Sequence, residues 1–110
     1  LALLLKPGGC VLVSTPNVMH FSVFRMMLAG RWKYEEAGIL DRTHLRFFTR
    51  TEVVALLQEA GLEPQEVFDS KIAETEHDQA FIAQLAALLA PGVDPEELHA
   101  YQWKVVAKKR

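Results

Sequence analysis

The chain has a single cysteine, Cys10, among its 110 residues, so no internal disulfide can form. It also lacks any apolar run near the ~20 residues that a bilayer demands. The longest candidates, residues 1–5 and residues 23–29 with Arg25 among them, are far shorter. Charge of one sign is not in excess: 12 Lys and Arg face 14 Asp and Glu, a net −2, so no basic field recruits nucleic acid. The four histidines, His20, His44, His77 and His99, have no second histidine or cysteine at metal-ligand spacing, which argues against a zinc site. Ser14, Ser22 and Ser70 lack the flanking glycines of a nucleophile elbow. Gly8-Gly9 precedes an apolar segment instead of following one into a helix, so it forms a turn and no phosphate cradle. Disulfide scaffolds and membrane spans are thereby excluded, and hydrolase and nucleotidase chemistry loses its anchors. Cys10, beside Gly9, Val11 and Leu12, is expected to face inward as a small apolar residue, and its solitude predicts a reducing, cytoplasmic setting.

What is present is a globular composition, 50% apolar and 24% charged. The length suits one domain or part of one. The chain opens inside an apolar run, with neither Met nor a cationic signal start, and Lys6-Pro7-Gly8-Gly9 then supplies a helix ending. We therefore expect a single partial domain over residues 1–110.

Residues 9–14, Gly-Cys-Val-Leu-Val-Ser, form a short continuous apolar segment, the pattern of a strand covered on both faces in a parallel sheet. Thr15-Pro16-Asn17 breaks it, and residues 18–29 are apolar on nearly every side up to Gly30, which predicts a sandwiched helix or a lid, its Met19, Met26 and Met27 serving as flexible packing. Residues 31–49 mix aromatics with charges and have no clean period, so an ordered loop is expected. Thr49-Arg50-Thr51-Glu52 matches a capping box, with a helix after it and Gly61 as its stop. A short strand is expected around Glu66-Val67-Phe68. A helix should follow from about Thr75 to Pro91, with Phe81, Ile82, Leu85, Leu88 and Leu89 on one face. Asp94-Pro95 opens a further turn, and residues 101–108 alternate as a strand with one wetter face. Helices and strands in this order predict an α/β fold. The first strand, with no partner upstream, should leave an exposed edge, so a homodimer or swapped oligomer through that edge is expected.

Ligands of open α/β sheets bind beyond the carboxyl ends of the strands, which brings Thr15, Pro16 and Asn17 forward. Asn17 could orient a substrate there, although Pro-Asn is also ordinary turn chemistry. The second candidate is Asp41-Arg42-Thr43-His44-Leu45-Arg46. His44 could act as a general base, since imidazole titrates near neutrality, or could be structural. Arg42 and Arg46 could clamp a carboxylate or phosphate, or could pair with Glu35, Glu36 or Asp41. Trp32 and Tyr34 could wall a pocket or anchor the end of the preceding helix.

Four segments, Leu3-Leu4-Leu5-Lys6-Pro7-Gly8-Gly9, Val11-Leu12-Val13-Ser14-Thr15-Pro16-Asn17, His44-Leu45-Arg46-Phe47-Phe48-Thr49 and Leu56-Leu57-Gln58-Glu59-Ala60-Gly61-Leu62, occur in this order. Together they resemble the C-terminal half of class I S-adenosylmethionine-dependent methyltransferases, in particular the small-molecule branch that includes the ubiquinone-biosynthesis O-methyltransferases. The resemblance covers residues 1–68 well and the remainder by layout. It implies the C-terminal part of a Rossmann-like sheet, here three strands of mixed parallel and antiparallel pairing with flanking helices, in which the last strand runs antiparallel between the two before it. It further implies methyl transfer from S-adenosylmethionine to a small-molecule acceptor, with Thr15, Pro16, Asn17, His20 and Arg46 on the acceptor side and His44 as the candidate catalytic group. The glycine-rich loop and the acidic residue that hold the cofactor in the family have no counterpart in this sequence. The chain alone is therefore expected to be inactive, its cofactor residues unassigned. It also departs from the ubiquinone branch at His44-Leu45-Arg46, where those relatives carry a His-Asp-Trp-like stretch.

Two other functions compete. Residues 18–29 could form the contact surface of a small protein-interaction module. Residues 49–61 could form a nucleic-acid recognition helix, but that helix offers Arg50 as its only cation, too little to track phosphates.

Overall fold

A computed structural model describes residues 8–34, 39 and 47–110. Its elements are β1 (Cys10–Pro16), α1 (Phe21–Leu28), α2 (Arg50–Glu59), β2 (Leu62–Ser70), α3 (Glu76–Ala86), a 3-10 turn (Pro95–Leu98) and β3 (Gln102–Lys109). No helix among the described residues is long and apolar enough to cross a membrane.

The three strands form one sheet in the order β1-β3-β2, and both pairings are antiparallel. The expected mixture of parallel and antiparallel pairing is thus corrected. β1 and β2 run in the same direction but never meet, because β3 lies between them and runs against both. Among the described residues, parallel pairing is confined to an isolated bridge from Asn17 to Phe48. The central place of β3 agrees with the strand insertion implied by the resemblance.

Two bonds fix which way β1 faces: Lys109 N donates to Gly9 O at 2.8 Å, and Asn17 N donates to Tyr101 O at 3.0 Å. By the two-residue repeat of an antiparallel ladder, Val11, Val13 and Thr15 also turn their backbone groups to β3. Cys10, Leu12, Ser14 and Pro16 turn theirs to the open edge, where proline's missing N–H costs no ladder bond. The same parity sorts the side chains. Val11 and Val13 pack with Val53, Leu57, Leu62, Val105 and Ala107 beneath α2, the principal core. On the opposite face Leu12 is 61% exposed. Among the described residues the strand is therefore covered on one face only, and Cys10 is exposed instead of inward because it falls on the other parity.

The remaining elements depart from the sequence expectations mainly at their ends. α1 begins at Phe21, since His20 caps it and residues 18–19 form a turn. At the start of α2, Thr49 Oγ1 accepts from Glu52 N at 3.3 Å, which is half of the expected box. The complete capping box lies at α3, where Thr75 and Asp78 exchange bonds of 2.9 and 3.1 Å. α3 stops at Ala86, which leaves Leu88 exposed, while Ile82 and Leu85 pack with Phe21 of α1 and Leu98 in a second core cluster. β2 is longer than expected, nine residues, with a bulge between Pro64 and Glu66. The missing proline N–H is accommodated at that bulge.

Candidate functional site

The turn that leaves β1 is built around two buried polar side chains. Asn17 is fully buried, and its Nδ2 donates to Glu97 O at 2.7 Å and to Ala100 O at 2.8 Å, while its Oδ1 accepts from Met19 N at 3.0 Å. This partner set admits one orientation of the amide and ties the carboxyl end of β1 to the approach to β3. A second tie runs from Val18 N to Phe48 O at 3.0 Å, so the residues just before α2 meet the same turn.

His20 is the other buried group. Its Nδ1 accepts from Ser22 N at 3.3 Å in its role as the α1 cap and lies 2.7 Å from Ser22 Oγ. The ring packs at 4.4 Å from Phe21 and edge-on to Tyr101 at 5.2 Å. An Nδ1 that accepts a backbone bond places the proton of the neutral ring on Nε2, and that atom is buried without a hydrogen-bond partner. Burial pushes the His20 pKa down to about 4; the charge of Glu74 works against this shift, and that of His99 adds to it. His20 is therefore a neutral imidazole near pH 7. Glu74 itself accepts from His99 Nδ1 at 2.8 Å.

Of the residues singled out in the sequence, Thr15, Pro16, Asn17 and His20 thus come together on one strand end and turn. His44 and Arg46 lie outside the described residues, as do Arg42, Glu35, Glu36 and Asp41. Trp32 and Tyr34 are 41% and 48% exposed and lie against Phe47, Trp32 edge-on at 5.5 Å. Sequence reasoning missed the carbonyls of Glu97 and Ala100 that hold Asn17. It also missed Trp103, which the alternation of residues 101–108 placed on the drier face of a strand but whose indole N–H is buried with no acceptor among the described residues. Backbone acceptors 80 residues away leave no signal in side-chain patterning.

A cradle for S-adenosylmethionine, the cofactor implied by the resemblance, requires a glycine turn that leads from a strand into a helix N-terminus. The turn after β1 has no glycine and is filled by the Asn17 bonds. The glycines with positive φ, Gly8, Gly30, Gly61 and Gly92, precede β1 or follow helices. The described residues therefore do not fit that cofactor. Nor does any group of three or more His, Cys, Asp or Glu among them form a metal site.

No curated protein matches this chain. A family model described as a methyltransferase domain matches residues 1–67, the span that contains β1, the Asn17 turn, α1 and α2. With more than half of the chain matched, and with a strand order that suits part of such a fold, this chain belongs to the methyltransferase-domain family.

Proposed function

We propose that this chain forms the acceptor side of an S-adenosylmethionine-dependent methyltransferase acting on a small molecule, and that elements other than its described residues hold the cofactor. The observation that supports this reading is the match to a methyltransferase domain over residues 1–67 together with the absence of fit between the described residues and the cofactor. On this reading residues 1–110 are the C-terminal part of a larger catalytic domain, and the chain alone transfers no methyl group. The ubiquinone-type O-methyltransferases remain the branch proposed for it.

The acceptor would lie beyond the carboxyl end of β1, against Thr15, Pro16 and the turn that Asn17 and His20 organise. Asn17, with both amide hydrogens engaged, is a positioning residue in this arrangement. His20, neutral and with its proton on Nε2, is suited to donate a hydrogen bond and unsuited to accept a proton there. His44 is proposed as the group that touches the acceptor and takes its proton, with Arg46 beside the acceptor. Both are tethered within four residues of Phe48, whose carbonyl accepts from Val18, and four residues of chain reach at most ~14 Å. Rate would come chiefly from holding the acceptor atom in line with the methyl group. The test is turnover of the intact enzyme carrying His44→Ala. A loss of ~100-fold or more is expected of a general base, and unchanged turnover sinks the assignment.

A further inference from the structure

Tyr101 is clamped between two strand ends: its N–H donates to Ser70 O of β2 at 2.8 Å, and its carbonyl accepts from Asn17 N beyond β1 at 3.0 Å. The residues just before it complete the join. Glu97 O and Ala100 O converge on one atom, Asn17 Nδ2. The chain between these carbonyls curls tightly to bring both there, through the 3-10 turn and a bond from His99 N to Glu96 O at 3.0 Å. Leu98 and Ala100, the neighbours of His99 in the chain, are buried.

The side chain of His99 ties this curl to another element. Its Nδ1 lies 2.8 and 3.0 Å from the two carboxylate oxygens of Glu74. An ionised carboxylate only accepts, so Nδ1 carries a proton. Exposed ion pairs contribute little, but Glu74 is only 12% exposed and His99 25%, which strengthens a charge-assisted bond between them. Glu74 has a firm mount. The next residue, Thr75, caps α3, and its N–H donates to Asp78 Oδ2 at 2.9 Å. A path of bonds thus runs from the start of α3, through Glu74 and His99, to the carbonyls that fix Asn17. The same pair acts on the other buried group of the turn: burial is the first cause of the low His20 pKa, and the charges of Glu74 and His99 follow with opposite signs.

We propose that Glu74 and His99 are positioning residues of the acceptor site, their hydrogen bond holding residues 97–100 in the curl that brings two carbonyls to Asn17 and so sets the turn after β1. The proposal rests on the functional reading above where it speaks of an acceptor, but its first readout requires no methyl transfer. Asn17 is the one asparagine among the 110 residues, so labelling with ¹⁵N-asparagine reports a single side-chain amide pair.

Glu74→Ala and His99→Ala are expected to move that pair towards the position of a free amide and to quicken its exchange with water by about tenfold. Glu74→Asp, which sets the charge one methylene short, should move it part of the way, and Glu74→Gln, whose amide oxygen still accepts, should leave it close to the wild-type position. His77→Ala, at an exposed histidine of α3, should leave it in place. Urea unfolding of each chain separates the two roles, because a bond that only adds stability lowers the midpoint without moving the resonances of the folded chain. An Asn17 pair that keeps its wild-type position in the folded Glu74→Asp chain overturns the proposal, whether or not the alanine variants fold. In the protein expressed from the whole reading frame, Glu74→Asp should slow the entry of labelled methyl into the small molecules of a cell extract by about tenfold, with the KM for S-adenosylmethionine unchanged. Unchanged transfer beside a shifted Asn17 pair would remove Glu74 and His99 from the acceptor site. No transfer by the wild-type protein would remove the functional reading and leave their hold on the turn.

Discussion

His20 carries a pH dependence that belongs to a single residue. Its ring is buried and neutral in the folded chain, with a pKa near 4 against 6.5 when free. Between those values the unfolded chain binds a proton that the folded chain refuses, so stability rises with pH across that window. The contribution is complete above pH 6.5 and is lost as the pH falls through about 4, about 3 kcal/mol in all. Urea unfolding at about pH 7.5 and about pH 4.5 measures it against the variant His20→Gln. The wild-type chain is expected to lose about 2 kcal/mol more than the variant between the two conditions; equal losses would show that His20 is not held neutral by burial. The same burial gives the residue its chemical character, a donor through Nε2.

At the scale of elements, Asn17 joins the end of β1 to the segment that leads into β3. Its replacement by alanine leaves the carbonyls of Glu97 and Ala100 without a donor, at a cost of about 3 kcal/mol. Asn17→Asp sets a carboxylate against those same two oxygens and should cost at least as much, although it differs from Asn by one atom in shape. Chemical denaturation of the two variants checks this order; an aspartate variant as stable as wild type would remove Asn17 from its positioning role. The elements themselves were legible wherever local chemistry decides them. The helix start near Thr75, Asp94 with Pro95, and the alternation of Trp103, Val105 and Ala107 each mark a cap or a face within a few residues, while the complete box of Thr75 with Asp78 went unread. What was illegible depends on distant chain. The run from Val11 to Ser14 is apolar enough for a strand buried on both sides, yet among the described residues only α2 covers it, so Leu12 and Cys10 are exposed on the other face. Pairing direction likewise rests on which strand comes to lie beside β1, and β3 is some 90 residues further along. Asn17 and His20 stood out in the sequence as polar residues beside a strand end, but their partners, one set of carbonyls far along the chain and one missing partner at Nε2, could be seen only in the fold.

At the scale of the molecule, the described residues form a three-stranded antiparallel sheet with α2 on one face and with α1 and α3 packed on each other around Phe21, Ile82, Leu85 and Leu98. Membership of the methyltransferase-domain family gives this arrangement a chemistry, methyl transfer, and the function proposed above sets the acceptor against the strand-end turn. The most direct measurement is the fate of isotopically labelled methyl from S-adenosylmethionine, given to the protein expressed from the whole reading frame that contains this chain. The account predicts that label enters the small-molecule fraction and that residues 1–110 alone transfer none. Label recovered in protein or nucleic acid, or transfer by residues 1–110 without any other segment, would contradict it.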